Sequence, residues 1–470
     1  MSSMAIKRIF WALGLAFLLF LLSVFGLNCG KDQTSVTCPV AGDQKALYVA
    51  TSSRGEFAEG TSADPLPSLS IAIRKSKWMG SPHPPVYVAA GTYRDDVAFV
   101  GGVSIYGGYD PDTWIRVDTL YSTFLVYEHP LRADSIVAKT VISGLTIKAA
   151  DAVVPGASSV ALRVGYCTDS LIFESCRFVA GKGADGQDGA DGARGSYGQD
   201  GQNAYYDWPG DGGDASCIMN GQWKATGGGQ GGMKNGMDGT SRGLDGEGLC
   251  PGAGGAYQIN GSNATCKGSD GANGSGGTSH GQIVAEEWIP NAGVSGADGE
   301  PGSGGGGGGA YWTIMESCGG GGGGGGACGG GGGVGGQGGG SSFAVYLDEA
   351  SPVFRNCVFV TRKGGDGGAG GDGGYYASGG FPGVGGFGVY GNGGTGGYGS
   401  DGGSGGGGQG GPGGSSICIL KVGTCNPQSP SSTFSPNTAG AGGAGGQRRV
   451  LNPSYAAPGA AGVADTIRQY

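Results

Sequence analysis

Residues 341–367 read SSFAVYLDEASPVFRNCVFVTRKGGDG, and the chain repeats this plan twice more. Residues 158–186 read SSVALRVGYCTDSLIFESCRFVAGKGADG, and residues 415–428 read SSICILKVGTCNPQ before a glycine-rich run at 440–446. Each copy opens with a Ser-Ser pair and a short apolar or β-branched run. The first two add a second run (Leu171 to Phe173, Val353 to Phe354) and a third ending at a cysteine, Cys176 or Cys357, before Phe178 or Phe359. Glycine-rich sequence follows. Short Val/Ile/Phe/Tyr-rich strands that recur as a unit are the mark of stacked β-coils. One coil cannot bury its apolar face alone and needs a copy above and below it. The copies begin at 158, 341 and 415, so the extra length is assigned to glycine-rich insertions hung from one edge of a regular stack. Cys176 and Cys357 are expected at equivalent inward positions, with 170–179 beside 352–360 as parallel strands.

Composition narrows the class. Of 470 residues, 113 are glycine and only 14% are charged. Glycine loses more backbone freedom on folding than any other residue, so the tracts are either disordered or held in a structure that requires a missing side chain. The net charge of −9 lacks the basic stripe of a nucleic-acid binder. Twelve cysteines without a C-x-x-C pairing fit an oxidising compartment rather than a zinc or redox site.

The N-terminus directs export. Lys7 and Arg8 precede an apolar run at 9–27, the order of a signal segment, and long enough to span a bilayer if uncleaved. Cys29 follows directly. This resembles a bacterial lipoprotein signal, which implies a lipid on Cys29, an outer-membrane or cell-surface location, and a membrane partner through the lipid or the uncleaved anchor.

Residues 47–126 resemble the opening of right-handed parallel β-helix proteins of the pectate-lyase-like superfamily. The residues that carry the likeness are Leu47-Tyr48-Val49, then Ala63-Asp64-Pro65-Leu66, Val86-Tyr87-Val88-Ala89-Ala90-Gly91-Thr92-Tyr93 and Val103-Ser104-Ile105-Tyr106-Gly107-Gly108. The family implies a short helix that caps the open end. Here Ser68 reads as its N-cap, with Leu69, Ala72, Ile73 and Lys77 at helical spacing. Residues 141–147, VISGLTI, form one more rung of the same kind. The whole resembles glycine-rich surface lipoproteins of bacteria. The expected fold is all-β, a right-handed parallel β-helix interrupted by glycine-rich insertions that are polyglycine-II-like or disordered. The expected divisions are a signal segment (1–28), a linker (29–46), capped coils (47–180), an insertion (181–340), a coil (341–362), a second insertion (363–414), and a last coil with an irregular tail (415–470).

In the first insertion Gly183, Gly186, Gly189, Gly192, Gly195, Gly198 and Gly201 fall at every third position. Collagen is excluded by the absence of proline between Pro155 and Pro209. The same period suits extended three-residue-per-turn helices packed side by side, with glycine on the contacting face. The alternative is a flexible linker. Cysteines 217, 250, 266, 318 and 328 read as local staples favouring order.

Chemistry is sparse. Residues 367–372 and 396–401 match the first six places of a glycine-rich calcium repeat, but glycine stands where that repeat needs a large apolar residue. Asp185, Asp188 and Asp191 stack about 9 Å apart, too far for neighbours to share one calcium, so they are read as a solvated face. Asp95-Asp96 and Asp110 with Asp112 are the paired carboxylates a glycosidase would need. The first pair points to opposite faces of a strand and the second brackets a turn. No catalytic residue, cofactor or metal ligand is assigned. Tyr205, Tyr206 and Trp208, with Tyr375 and Tyr376, are the contact candidates. Their rings would either stack on sugars or anchor the tract against glycine backbone. The expectation is a non-enzymatic cell-envelope protein, structural or adhesive, whose partners are surface glycans or envelope proteins. The alternative is a polysaccharide-acting β-helix lyase or hydrolase with a site on an unrecognised loop.

Overall fold

The computed structural model describes residues 46–470, apart from 54, 56–57, 117–122, 128, 220–221, 235–240, 278–279, 285–286 and 451. Cys29 and the export segment lie outside the described residues. The described chain is nearly all β, with parallel strands in three six-stranded sheets. The first sheet holds Leu47–Val49, Val86–Ala89, Ile105–Tyr109, Thr140–Ser143, Leu171–Glu174 and Val353–Arg355. The second holds Gly91–Tyr93, Thr123–Tyr127, Thr146–Ala149, Arg177–Val179, Val358–Val360 and Thr433–Ser435. The third holds Ala98–Phe99, Leu131–Asp134, Ser159–Gly165, Ser342–Asp348, Ser416–Val422 and Ala464–Gln469.

From Val86 to Val422 the chain visits first, second and third sheet in turn, so each circuit sets one strand on each sheet beside its predecessor. The last circuit touches the first sheet only through the Val353–Gln428 bridge before Thr433–Ser435 and Ala464–Gln469. In-register pairing then stacks like on like. Leu47, Val86, Ile105, Ile142, Phe173 and Phe354 form one inward column. Leu125, Ile147, Phe178, Phe359 and Phe434 form another. Alternate residues of a strand face opposite sides, which is why the short runs read from the sequence suffice to build a continuous core. Cys176 and Cys357 do occupy equivalent buried positions: Cys176 Sγ donates to Ile142 O at 3.3 Å and Cys357 Sγ to Phe173 O at 3.6 Å.

Helix α1 (Leu69–Trp78) follows the first strand. Ser68 Oγ accepts from Ile71 N–H at 3.3 Å, while Asp95 Oδ2 accepts from the Ser68 hydroxyl at 2.6 Å. Leu69, Ala72 and Ile73 are buried in the same core as Leu47. The Ser-Ser pairs align across the third sheet, Ser159 beside Ser342 and Ser342 beside Ser416.

The glycine-rich tracts leave from one corner only. Each departs after a strand of the second sheet and returns into a strand of the third: after Val179 into Ser342, after Val360 into Ser416, and after Ser435 into Ala464. The tracts are hydrogen-bonded although they contain little sheet. Gly186, Gly189 and Gly192 donate to Asp366, Ala369 and Asp372 carbonyls, each at 2.8 Å. In the inner segment 319–340, one turn reaches different neighbours: Gly331 N–H donates to Ala193 O at 2.8 Å and Gly333 N–H to Gly406 O at 2.9 Å. Gly332 N–H meets Asp298 Oδ1 at 2.8 Å. A Cβ built on Gly332 would lie 2.0 Å from Gly296 O, and one on Gly189 2.0 Å from Val334 O. An outer segment covered on one side therefore needs glycine at every third place, and a segment covered on all sides needs it almost everywhere. That accounts for the run GGGGGGGG at 319–326 beside the GxD triplets at 183–191.

Two expectations need correction. The tail is not irregular to its end, because Ala464–Gln469 pairs in parallel with Ser416–Val422 and closes the third sheet. The five tract cysteines form two bridges, Cys217–Cys328 and Cys250–Cys266, while Cys318 remains a buried thiol. Among the described residues no helix is long and apolar enough to cross a membrane.

Candidate functional site

The five aromatic candidates separate into two places. Tyr205 and Trp208 close a tight turn by exchanging both backbone hydrogen bonds at 3.0 Å, with Tyr206 at φ +53°. The Tyr205 ring meets Tyr206 edge to face at 4.7 Å, and Tyr205, Tyr206 and Trp208 are 72%, 67% and 69% exposed. They do not pack down on glycine backbone. Tyr375 and Tyr376 sit midway along the tracts. The Arg449 guanidinium lies over Tyr375 at 5.1 Å, held there by Asp372 at 2.8 Å and Asp191 at 3.2 Å. Lys267 Nζ lies over Tyr376 at 4.1 Å. These two rings already have cations against them.

The turn 205–208 belongs to a larger surface that the sequence did not single out. Segments 181–204 and 319–340 run away from the sheets, and at ~3.1 Å per extended residue their far end lies roughly 70 Å from the sheet corner. Several turns meet there. Gly319 N–H donates to Tyr206 O at 2.7 Å, and Gly386 N–H to Gly319 O at 2.8 Å. Glu316 receives Val389 N–H at 2.8 Å and Tyr390 N–H at 2.9 Å, so its carboxylate is already engaged within the surface. Tyr257 Oη donates to Trp312 O at 3.1 Å. On these turns Ile314, Val389, Met315 and Phe387 project into solvent, Ile314 94% and Val389 88% exposed. Large apolar side chains left exposed on turns that meet at one end mark a candidate contact site. A signal was present in the sequence: YWTIMES at 311–317 and FGVY at 387–390 are abrupt apolar breaks in glycine-rich sequence.

The carboxylates have structural partners. Asp185, Asp188 and Asp191 are not merely a solvated face. Their Oδ1 atoms accept the backbone N–H groups of Asp366, Ala369 and Asp372 at 2.7, 2.7 and 2.8 Å. Asp200 and Asn203 continue the ladder to Phe381 and Val384, each at 2.8 Å. Asn260, Asn263 and Asn273 do the same for Thr395, Tyr398 and Gly407. The ladder supplies acceptors to N–H groups where the adjoining segment offers no carbonyl. Asp110 accepts Thr113 N–H and its hydroxyl and also Asp112 N–H, which holds its carboxyl below the usual range. The bond with Cys176, with burial, pushes the Cys357 thiol up and keeps it protonated. Among the described residues no group of three His, Cys, Asp or Glu side chains is arranged to hold a metal ion.

A separate cleft of about 270 Å³ lies between the outer face of the third sheet and the hairpin 281–290, lined in part by His129, Arg132, Arg163, Glu287 and Trp288. Arg163 faces Asp348 at 3.7 Å.

Comparison of the chain with protein-family models, with curated proteins and with solved structures returned no match.

Proposed function

We propose that this protein is a non-enzymatic component of the bacterial envelope, structural or adhesive, exported and held at the outer membrane or cell surface by a lipid on Cys29. In this reading the three sheets are the faces of a right-handed parallel β-helix of pectate-lyase-like type, and the glycine tracts are insertions packed as polyglycine-II-like helices. The observation that carries the reading is the arm itself. Backbone hydrogen bonds hold its segments together over roughly 70 Å, and its far end is apolar and aromatic. A stiff spacer with a contact surface at its end suits adhesion or bridging. Tyr375 and Tyr376, already against cations, are then ring contacts within the arm, and the membrane, surface glycans and envelope proteins are the partner classes.

The alternative, a polysaccharide-acting enzyme, would place its chemistry in the cleft at Glu287, His129 and Arg132. The two readings separate in one experiment. Cells carrying the gene are compared with deleted cells for attachment, while the purified chain is incubated with a panel of acidic and neutral polysaccharides. Loss of attachment with no new reducing or unsaturated ends supports the envelope role. Product formation that Glu287→Gln abolishes would overturn it.

A further inference from the structure

Resting on the adhesive reading, we propose that the far end of the glycine-rich arm docks on the interfacial region of a lipid bilayer. The surface has three features that together select this occupant. First, it is convex. Ile314 and Met315 stand on one turn, Phe387 and Val389 on a second, and Tyr206 and Trp208 on a third, all projecting outward. Protruding side chains on separate turns suit a deformable partner, whereas a small rigid ligand needs a concave site. Second, its chemistry is mixed in the way an interface requires. Aliphatic side chains project beside Tyr and Trp rings, whose apolar bodies and polar edges suit the headgroup boundary. Sugar rings stack on flat aromatic faces, and Ile314 and Val389 offer none. Third, charge does not select a charged partner. Lys234 lies 5.9 Å from the Trp312 ring centre, Glu316 is engaged by two backbone N–H groups, and Asp207 sits between Tyr206 and Trp208. One cation and two carboxylates leave a net charge of −1 there (1 − 2), and with Glu316 engaged the surface presents no strong field of one sign, which suits a zwitterionic headgroup layer better than an acidic or basic polymer.

The test uses the full chain with phosphatidylcholine vesicles that carry a photoreactive acyl chain. After irradiation, lipid adducts are mapped peptide by peptide. Adducts are expected on peptides spanning 205–208, 312–315 and 387–390. Ile314→Asp with Val389→Asp is expected to lower those adducts roughly tenfold or more, since two exposed apolar side chains are replaced by charges. Val153→Asp, an equally exposed aliphatic site at 88%, is expected to leave them unchanged. Neither doubly substituted side chain is buried, and backbone hydrogen exchange at Gly319 confirms that the arm stays folded. Labelling of the N-terminal segment is read on its own peptide, so failure of surface anchoring and failure of tip docking are distinguished. Absence of tip adducts in the wild type overturns the proposal. So does binding to envelope polysaccharide, or self-association, that the double variant abolishes while lipid labelling of the tip is absent.

Discussion

Phe173 and Phe354 stack nearly flat, with centroids 5.3 Å apart and planes 13° apart, although the first long glycine-rich tract separates them in sequence. Both are fully buried, and their strands pair in register. The return of the chain to this position closes the core across the tract. Phe354→Ala is expected to lower the unfolding free energy by about 3–5 kcal/mol, read from denaturant titration. Phe434, stacked on Phe359 at 4.9 Å but only half-buried, should cost clearly less when truncated. Equal losses would mean that the column is not the main source of stability.

The arm makes a different demand, for the absence of a side chain. Gly189→Val places carbon where Val334 O lies 2.0 Å from the Cβ position, while Gln187 is exposed. Hydrogen exchange across 181–205 should be slow in the wild type, fast in Gly189→Val and still slow in Gln187→Val. Fast exchange in all three would make the tract a flexible linker.

The Asp ladder predicts that a neutral amide can replace a carboxylate. Asp188→Ala removes the acceptor of Ala369 N–H and should speed exchange at that amide, with a loss of about 1 kcal/mol. Asp188→Asn should restore protection, because Asn203 and Asn263 already fill the same role. If Asn fails where Ala fails, the negative charge rather than the acceptor matters.

Acid should loosen the same region. The bond from Lys363, against opposing burial, draws the Asp366 carboxyl below its ordinary 3.8, and the Ala441 N–H adds to this. At Asp372 burial opposes the shift, but Gln447 N–H and Arg449 outweigh it. Folded-state values below the unfolded value add stability that is present above about pH 4 and lost as pH falls through the folded values. Melting temperature against pH should therefore drop below pH 4. Asp366→Asn with Asp372→Asn should flatten that drop.

The two bridges should differ in worth. Cys217–Cys328 closes a separation of 111 residues and Cys250–Cys266 one of 16. Chain-entropy arguments give roughly 4–5 kcal/mol for the longer loop and about 3 for the shorter. Paired Cys→Ser variants compared by thermal unfolding would show this order, and the reverse order would place the stabilisation in the folded state instead.

Lipidation at Cys29 is checked by metabolic labelling with a fatty-acid probe. Wild type should label and Cys29→Ser should not; equal labelling leaves the uncleaved anchor.

Residue pattern alone determined much of this protein. The Ser-Ser repeats, the apolar runs around Cys176 and Cys357, and the Ser68 cap were legible because strand alternation and helix capping act over a few residues. The glycine period was legible too, since a face that touches a neighbour must lack Cβ wherever it recurs. Only the tertiary structure decided which neighbour each face meets. It showed that Asp188 serves Ala369, that Ala464–Gln469 is a strand of the third sheet, and that Tyr206, Ile314 and Val389 share one end while Tyr375 lies elsewhere. Those relations join residues far apart in the chain, and an extended segment of glycine carries no side-chain pattern to name its partner. The partner is chosen by backbone hydrogen bonds, which are the same for every residue and become specific only when the whole arm is assembled.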